Sequence, residues 1–394
     1  MQWLYRVPAS LWCVVLSLAL AVRAHAQMPL NADEARKATS LFEAVNATPL
    51  KCKIQPWQPT LDFSFRFVAG YAVYCRLGLF EGKKATLTTY VRVTPAGKPS
   101  VMLGAANDIP AIAPEMLRFA GGDASKIKNE VGSSNIFAVG GGSYSIEVAA
   151  TDDRGRVCLR RWKIRVEPDR SQRKLALAVA PLGVQALDRN AWQIDSARER
   201  GDLRFTILLN AAPINPYQST LRAWDRTFLL ECLYTLLRQI PYKSVRLIAF
   251  NLDQQREIYR SNRFDDDAFL ALSHALRRIE TSTVSVQALR QRNSPKFLLS
   301  ETNSEISESD HAQALVYLSP ALRSDVQAGA DLLAGEASTR PPFFYFEYVP
   351  GPQSAFPDSI QHLVTAANGK TFQIHSPSQL NQAIQKMLAQ LKKQ

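Results

Sequence analysis

The sequence predicts a chain of mixed class, an all-β sandwich followed by a doubly wound, mostly parallel α/β domain. Three observations carry that expectation. The chain has 394 residues, more than one compact core accommodates, so two domains are expected. Between about residues 60 and 166 apolar residues alternate with polar ones at period two. After about Leu203, buried apolar runs take turns with stretches of helical periodicity instead. The resulting division places a signal peptide at 1–26, a helix and lead-in at 27–58, a sandwich at 59–168, a linker and lead-in at 169–200 and an α/β domain at 201–394.

The opening MQWLYRVPASLWCVVLSLALAVRAHAQ has a basic start at Arg6, an apolar run over residues 11–22, and Ala24-His25-Ala26 as a small-x-small cleavage site. The run is shorter than the roughly 20 residues that span a bilayer, so cleavage before Gln27 is expected rather than anchoring. No later segment is apolar enough to span, and the expected location is periplasmic or extracellular. Cleavage removes Arg6 and Arg23 from a formal charge of +12 and leaves the protein basic. Its cations are scattered among carboxylates, which together with export argues against nucleic acid as a partner.

Four cysteines remain after cleavage: Cys52, Cys75, Cys158 and Cys232. An oxidising compartment permits bridges, and Cys52 with Cys75, both in the first strand-rich segment, is the expected pair, with Cys75–Cys158 or no bridge as alternatives. No CxxC is present, which excludes zinc ribbons and thioredoxin-type chemistry.

Along the chain, NADEARKATSLFEAV (31–45) puts Ala35, Ala38, Leu41, Phe42 and Val45 at helical spacing. Runs such as Leu61-Asp62-Phe63-Ser64-Phe65-Arg66-Phe67 and ATLTTYVRV (85–93) alternate as strands. Asp152-Asp153-Arg154-Gly155 sits between two more strands and reads as a hairpin turn with Gly155 at positive φ. Several short strands in about a hundred residues favour an immunoglobulin-like sandwich. A polar stretch over 168–173 marks the junction.

In the second half RFTILL (204–209) is a buried strand, and Leu221, Trp224, Phe228, Leu229, Cys232, Leu236 and Ile240 lie on one helical face. VRLIAF (245–250), ALVYL (314–318) and FFYFEYV (343–349) are further strands. Helices are expected over 265–279, with Asp265-Asp266-Asp267 at the favourable end of its dipole, over 358–367 with Asn368-Gly369 as its stop, and over 378–392. Strands alternating with helices predict the doubly wound arrangement.

That order, with RFTILLNAAPINP and its following helix, SVRLIAFNLDQQREIYRS, DDDAFLALSHALRRI, ALVYLSP, FFYFEYVP and HLVTAANGKTFQIHSPSQLNQAIQKML, resembles the von Willebrand factor A domain. It looks most like divergent relatives that some bacteria export, in which a β-sandwich precedes the A-like domain. The resemblance covers roughly the last half of the chain and implies a vWA-like fold serving protein recognition. It also implies where to look for a site. In the family a DxSxS motif, with a Thr and an Asp from later loops, holds a divalent cation, and an acidic partner completes the shell. The matching positions are Asn210, Ala212 and Ile214, and the later loop reads Leu318-Ser319-Pro320 where an Asp is required. Oxygen ligands are therefore missing and the metal site is expected to be degenerate, with no cofactor. Loops at the carboxyl ends of the strands remain the default surface, where Asn210, Asn215, Tyr217, Asn251, Asp253 and Ser319 are expected to cluster.

Catalytic patterns find no support. Gly140-Gly141-Gly142-Ser143 lacks the Lys-Ser/Thr of a phosphate loop, and Ser319 lacks the flanking glycines of a nucleophile elbow. His274, His311, His362 and His375 show no HExxH spacing. Trp57, Tyr71, Tyr74 and Trp162 suit core packing better than a sugar-stacking platform. The expectation is an exported, non-enzymatic binding or assembly protein with a protein partner at or outside the envelope. The alternative is a module that binds an envelope polyanion or polysaccharide through basic surface.

Overall fold

The computed structural model describes residues 27–43, 47–187, 201–214, 221–279, 294–307, 312–320, 333–336, 338–349 and 358–393. The expected signal peptide, Asn215, Tyr217 and His311 lie outside the described residues. The chain divides into two compact units, the first made of Met1–Leu61, Arg66–Pro168 and Leu177–Arg189, the second of Asp62–Phe65, Asp169–Ala176 and Asn190–Gln394.

The first unit runs β1 (Met28–Pro29), α1 (Ala32–Glu43), β2 (Cys52–Leu61), β3 (Phe67–Arg76), β4 (Ala85–Pro95), β5 (Val101–Ile109), α2 (Pro114–Phe119), β6 (Glu130–Val139), β7 (Gly142–Asp152), β8 (Val157–Val166) and β9 (Val184–Ala186). Its strands form two sheets, ordered β1-β5-β4-β7-β8 and β2-β3-β6-β9. Alternation puts one face of each sheet inward: Leu87, Val91, Val93, Ile146 and Val148 of the first share an apolar cluster with Ala69, Tyr71, Val73, Phe137 and Val139 of the second. The β7–β8 turn is closed by Gly155 at φ 71°, and the Asp152 carboxylate accepts from the Arg154 and Arg156 amides at 3.1 and 3.0 Å.

Helix α1 starts in a reciprocal cap, with the Asn31 side chain accepting from the Glu34 amide at 2.9 Å and Glu34 from the Asn31 amide at 3.0 Å. It lays Ala38 and Phe42 on Tyr90 and Ala149, on the outer face of the β1–β8 sheet. The Arg92 guanidinium stands 4.7 Å over the Phe42 ring and bonds Glu147, which Arg161 also bonds. Burial pushes the Glu147 carboxyl up, but the two arginines outweigh it and the net shift is downward.

The cysteine expectation is corrected. Cys52 and Cys75 do face one another in register across β2 and β3, yet the bridge joins Cys52 to Cys158, 106 residues away on β8. Chain path supplies the reason. The lead-in to β2 runs beside β8, with Leu50 donating to Val157 and Val157 to Thr48, both at 2.9 Å, so Cys158 comes up against Cys52 from the other sheet. Cys75 stays reduced and buried, and burial pushes its thiol up to about 12.

The second unit contains β10 (Leu203–Asn210), α3 (Ala223–Gln239), β11 (Tyr242–Asn251), β12 (Arg256–Ser261), α4 (Asp266–Arg277), α5 (Ser294–Ser307), β13 (Ala314–Pro320), β14 (Phe343–Tyr348), α6 (Ser359–Ala366), β15 (Lys370–Ile374) and α7 (Pro377–Leu391). Its sheet is ordered β12-β11-β10-β13-β14-β15. Neighbouring β10 residues point to opposite faces: Phe205, Ile207 and Leu209 pack with α3, α4 and α7, and Leu208 packs with α5 and α6. Phe63 joins the first of these clusters, its carbonyl accepting from Thr235 at 2.5 Å and its amide bonding Glu231.

The fold-class expectation, an immunoglobulin-like sandwich followed by a doubly wound, mostly parallel domain, is also corrected. Among the described residues the strands make three sheets, and eight of the twelve pairings between named strands are antiparallel. Two sheets are antiparallel throughout, and parallel pairing is confined to part of the third. Even there the edge strand β12 runs antiparallel to β11. Arg260 of β12 ties it down, bonding Glu305 and Glu301 of α5 at 2.8 and 2.9 Å. Arg246 of β11 bonds the same buried Glu305 at 3.3 Å.

Asp265 caps α4 by accepting from the Ala268 amide at 3.0 Å. Helix α6 ends with Asn368 at φ 55° and the Gly369 amide returning to Val364 at 2.8 Å. A Cβ on Gly369 would lie 2.6 Å from the Phe343 carbonyl, so close approach to β14, not positive φ, requires glycine there.

The cross-sheet bridge yields the first test. Cys158→Ala should lower the stability of the first unit by about 2–5 kcal/mol in urea unfolding, reducing agent should produce the same loss in the parent, and Cys75→Ala should leave the sensitivity to reductant intact.

Candidate functional site

The carboxyl ends of the parallel strands bring polar side chains into an otherwise apolar layer. Ser319 of β13 is the register partner of Glu347 of β14, which is the partner of Gln373 of β15. Two residues earlier on each strand, Tyr317 and Tyr345 lie in the cluster under α5 and α6, as does Leu208 two residues before Asn210. Period-two alternation therefore sets Asn210, Ser319, Glu347 and Gln373 in one row on that same face.

Asn210, at the β10 end of the row, is fully buried. Its Nδ2 donates to Ser319 Oγ at 3.0 Å and its Oδ1 accepts from the Leu252 amide at 3.2 Å. Ser319 Oγ donates onward to the Pro320 carbonyl at 2.8 Å. Asn251 closes the neighbouring corner, donating to the Ala211 carbonyl at 2.7 Å and accepting from the Gln254 amide at 2.8 Å. Three expected site residues, Asn210, Asn251 and Ser319, lie at the carboxyl ends of strands, where Asn210 and Ser319 bond each other and all three are buried. Asp253 is exposed in the β11–β12 turn. Of the other two positions that match the family motif, Ala212 is buried and Ile214 packs against the core. Among the described residues no group of three or more His, Cys, Asp and Glu is placed to hold a metal ion.

Residues not singled out from sequence carry the strongest electrostatics. The Tyr345 hydroxyl donates to Asp358 Oδ2 at 2.8 Å, while Asp358 Oδ1 caps α6 by accepting from Gln361 at 2.8 Å. Burial, then the nearby Asp358 and Glu347 charges, push the Tyr345 phenol well above its ordinary value. Glu347 is 5% exposed, and its Oε2 is buried without a hydrogen-bond partner among the described residues. Burial and the Asp358 charge raise its carboxyl, against the opposing bond from Gln373. One signal for this group stands in the sequence: a single acid inside the apolar run FFYFEYV.

On α3, which packs against the opposite face of the sheet, Trp224 is 61% exposed, with its ring centroid 4.5 Å from that of Phe228. Phe228 in turn packs on Phe63 at 5.1 Å, which fixes the stack to the core.

No protein-family model and no curated protein matches this chain. Solved structures give distant likenesses. The ArnB paralog VWA2 from Sulfolobus acidocaldarius, a von Willebrand A protein, is 12% identical with a TM-score of 0.24, covering 61% of this chain, which spans 48% of that protein's length. The putative ApaA protein from Bordetella pertussis is 8% identical with a TM-score of 0.18 over 30% of this chain and 97% of its own. A Bacteroides uniformis beta-glucuronidase is 9% identical with a TM-score of 0.19 over 75% of this chain and 36% of its own. Scores this low define neither fold nor activity.

Glu347 gives a pH-dependent test. A carboxyl raised above its ordinary value of 4.5 stabilises fully below that value, and the contribution is lost as pH climbs through the raised one. Glu347→Gln should therefore melt a few degrees above the parent near pH 8, with the gain shrinking toward about pH 4 in scanning calorimetry.

Proposed function

We propose that this chain is an exported, non-enzymatic binding or assembly protein, related to the von Willebrand factor A family through its second half and acting without a bound metal. The observation that carries recognition is Trp224, an exposed aromatic held in place by Phe228 at the amino end of α3. Large, rigid aromatics of this kind are the anchors on which protein interfaces concentrate their energy. The saturated bonds of Asn210 and Ser319 fit the same reading, because they leave the row to hold strand ends in place while neighbouring surface meets the partner.

A second reading has its own support. On β8, Leu159, Arg161, Lys163 and Arg165 occupy successive exposed positions, while Trp162, Ile164 and Val166 turn toward the core. Three cations about 7 Å apart along one strand suit a linear polyanion, although Arg161 and Arg165 already pair with Glu147 and Glu167.

Crosslinking and co-purification from envelope extracts separate the two. Trp224→Ala should remove the captured protein while leaving the melting temperature within about a degree, because surface substitutions change little stability. Capture that survives Trp224→Ala but falls steeply with salt, and is lost when Arg161, Lys163 and Arg165 become Gln, would favour the polyanion instead.

A further inference from the structure

The first unit carries its most exposed large apolar side chain far in sequence from β8 and from Trp224. Phe119, the last residue of α2, is 94% exposed, and α2 has no buried residue. Met116, Leu117 and Ala120 pack against the apolar cluster of the first unit, and backbone bonds close the helix end. Ala120 returns to Met116 at 3.1 Å, Gly121 to Arg118 at 3.0 Å and Gly122 to Leu117 at 2.9 Å. Gly121 and Gly122 reverse the chain at φ 67° and 77°, a pair of left-handed residues that few side chains tolerate. The reversal brings the 126–129 segment back beside the helix, and an open depression of about 680 Å³ lies between, lined by Met116, Phe119, Ile127, Lys126 and Lys128 among others.

The rim is cationic. Lys128 is exposed and has no ion pair among the described residues, and Lys126 and Arg118 reach Asp123 and Glu115 only at 3.9 Å. Asp123 meanwhile spends its carboxylate on the amide and hydroxyl of Ser125, at 2.9 and 2.6 Å. Lys83, also exposed, follows Gly82, whose side faces Ala124 of the same loop. A lone aromatic ring on a rigid turn, ringed by loosely paired cations, matches an interface that offers apolar depth and negative charge without a shaped pocket.

We propose that the α2 tip is a peripheral docking site for an anionic phospholipid bilayer, with Phe119 entering the interfacial layer and Lys126, Lys128, Arg118 and Lys83 meeting the headgroup phosphates. No helix among the described residues is long and apolar enough to cross a membrane, so the contact is one of surface insertion. Each cation near an anionic surface contributes about fivefold in partitioning, and the ring adds a similar or larger factor. This proposal stands apart from the Trp224 reading, since the two residues lie in different units.

The test is cosedimentation of the purified mature chain with phosphatidylcholine vesicles, with or without phosphatidylglycerol, at an ionic strength on the order of 0.1 M. Binding should require phosphatidylglycerol, fall steeply with added salt, and drop roughly tenfold in Phe119→Ser and in the Lys126→Gln/Lys128→Gln pair. Neither change touches a buried group, and unchanged melting of both variants checks that they fold. Failure of the parent to sediment, or equal sedimentation of parent and Phe119→Ser, would overturn the proposal. So would a parent dimer in gel filtration that Phe119→Ser dissolves, which would assign the tip to a second copy of the chain.

Discussion

The side-chain amide of Asn210 is engaged at both ends, and the carboxyl edge of the second unit is organised around that fact. One end holds Ser319 at the close of β13, and the other holds the Leu252 amide where β11 turns toward β12. A single buried group therefore fixes the ends of three neighbouring strands. Removing it would leave the buried Leu252 amide short of a partner, a penalty of about 1–3 kcal/mol, while Ser319 would keep its bond to the Pro320 carbonyl. A ligand that wanted the same amide would have to displace bonds already made, so the chemistry open to this edge passes to the groups flanking it.

Those groups are of two kinds, and they sit on opposite faces of the sheet. Toward α5 and α6, Tyr345, Asp358 and Glu347 gather in a buried layer, where burial and the Asp358 charge raise the Glu347 carboxyl. Toward α3, Phe63, Phe228 and Trp224 form an aromatic column that runs from core to solvent. The first arrangement stores a pH-dependent cost within the fold, and the second presents apolar area at fixed geometry.

Much of this was legible in sequence, for identifiable reasons. Apolar runs such as RFTILL, VRLIAF and ALVYL leave little freedom about which segments become buried strands, and Asn210, Asn251 and Ser319 end such runs, so their place at the strand ends followed. Their burial did not follow, because whether a terminal polar group meets solvent or another terminal group depends on strand neighbours that only pairing sets. Glu347 was overlooked for a related reason: inside FFYFEYV, periodicity says which face it shares but not that Gln373 and Asp358 converge there. The class was overstated because alternation along the chain does not report strand direction, and antiparallel pairing prevailed in two of three sheets. The cysteine pairing failed on proximity in sequence, since the bond made spans 106 residues.

That bond sets an order of events for the oxidation of the chain. Cys52 has two neighbours: Cys75, supplied as soon as β2 and β3 zip together, and Cys158, supplied only when the second sheet closes over the first. An oxidant that acts on the lone β2–β3 hairpin meets the wrong thiol, and the product locks a cross-strand link into one sheet while leaving Cys158 unpaired. Once the sheets have closed, Cys75 is buried with its thiol pushed to about 12, hence almost wholly protonated and a poor nucleophile toward its neighbour. The packed pair of sheets is thus its own proofreading step: it selects the bridge by geometry and then silences the competitor by dehydration.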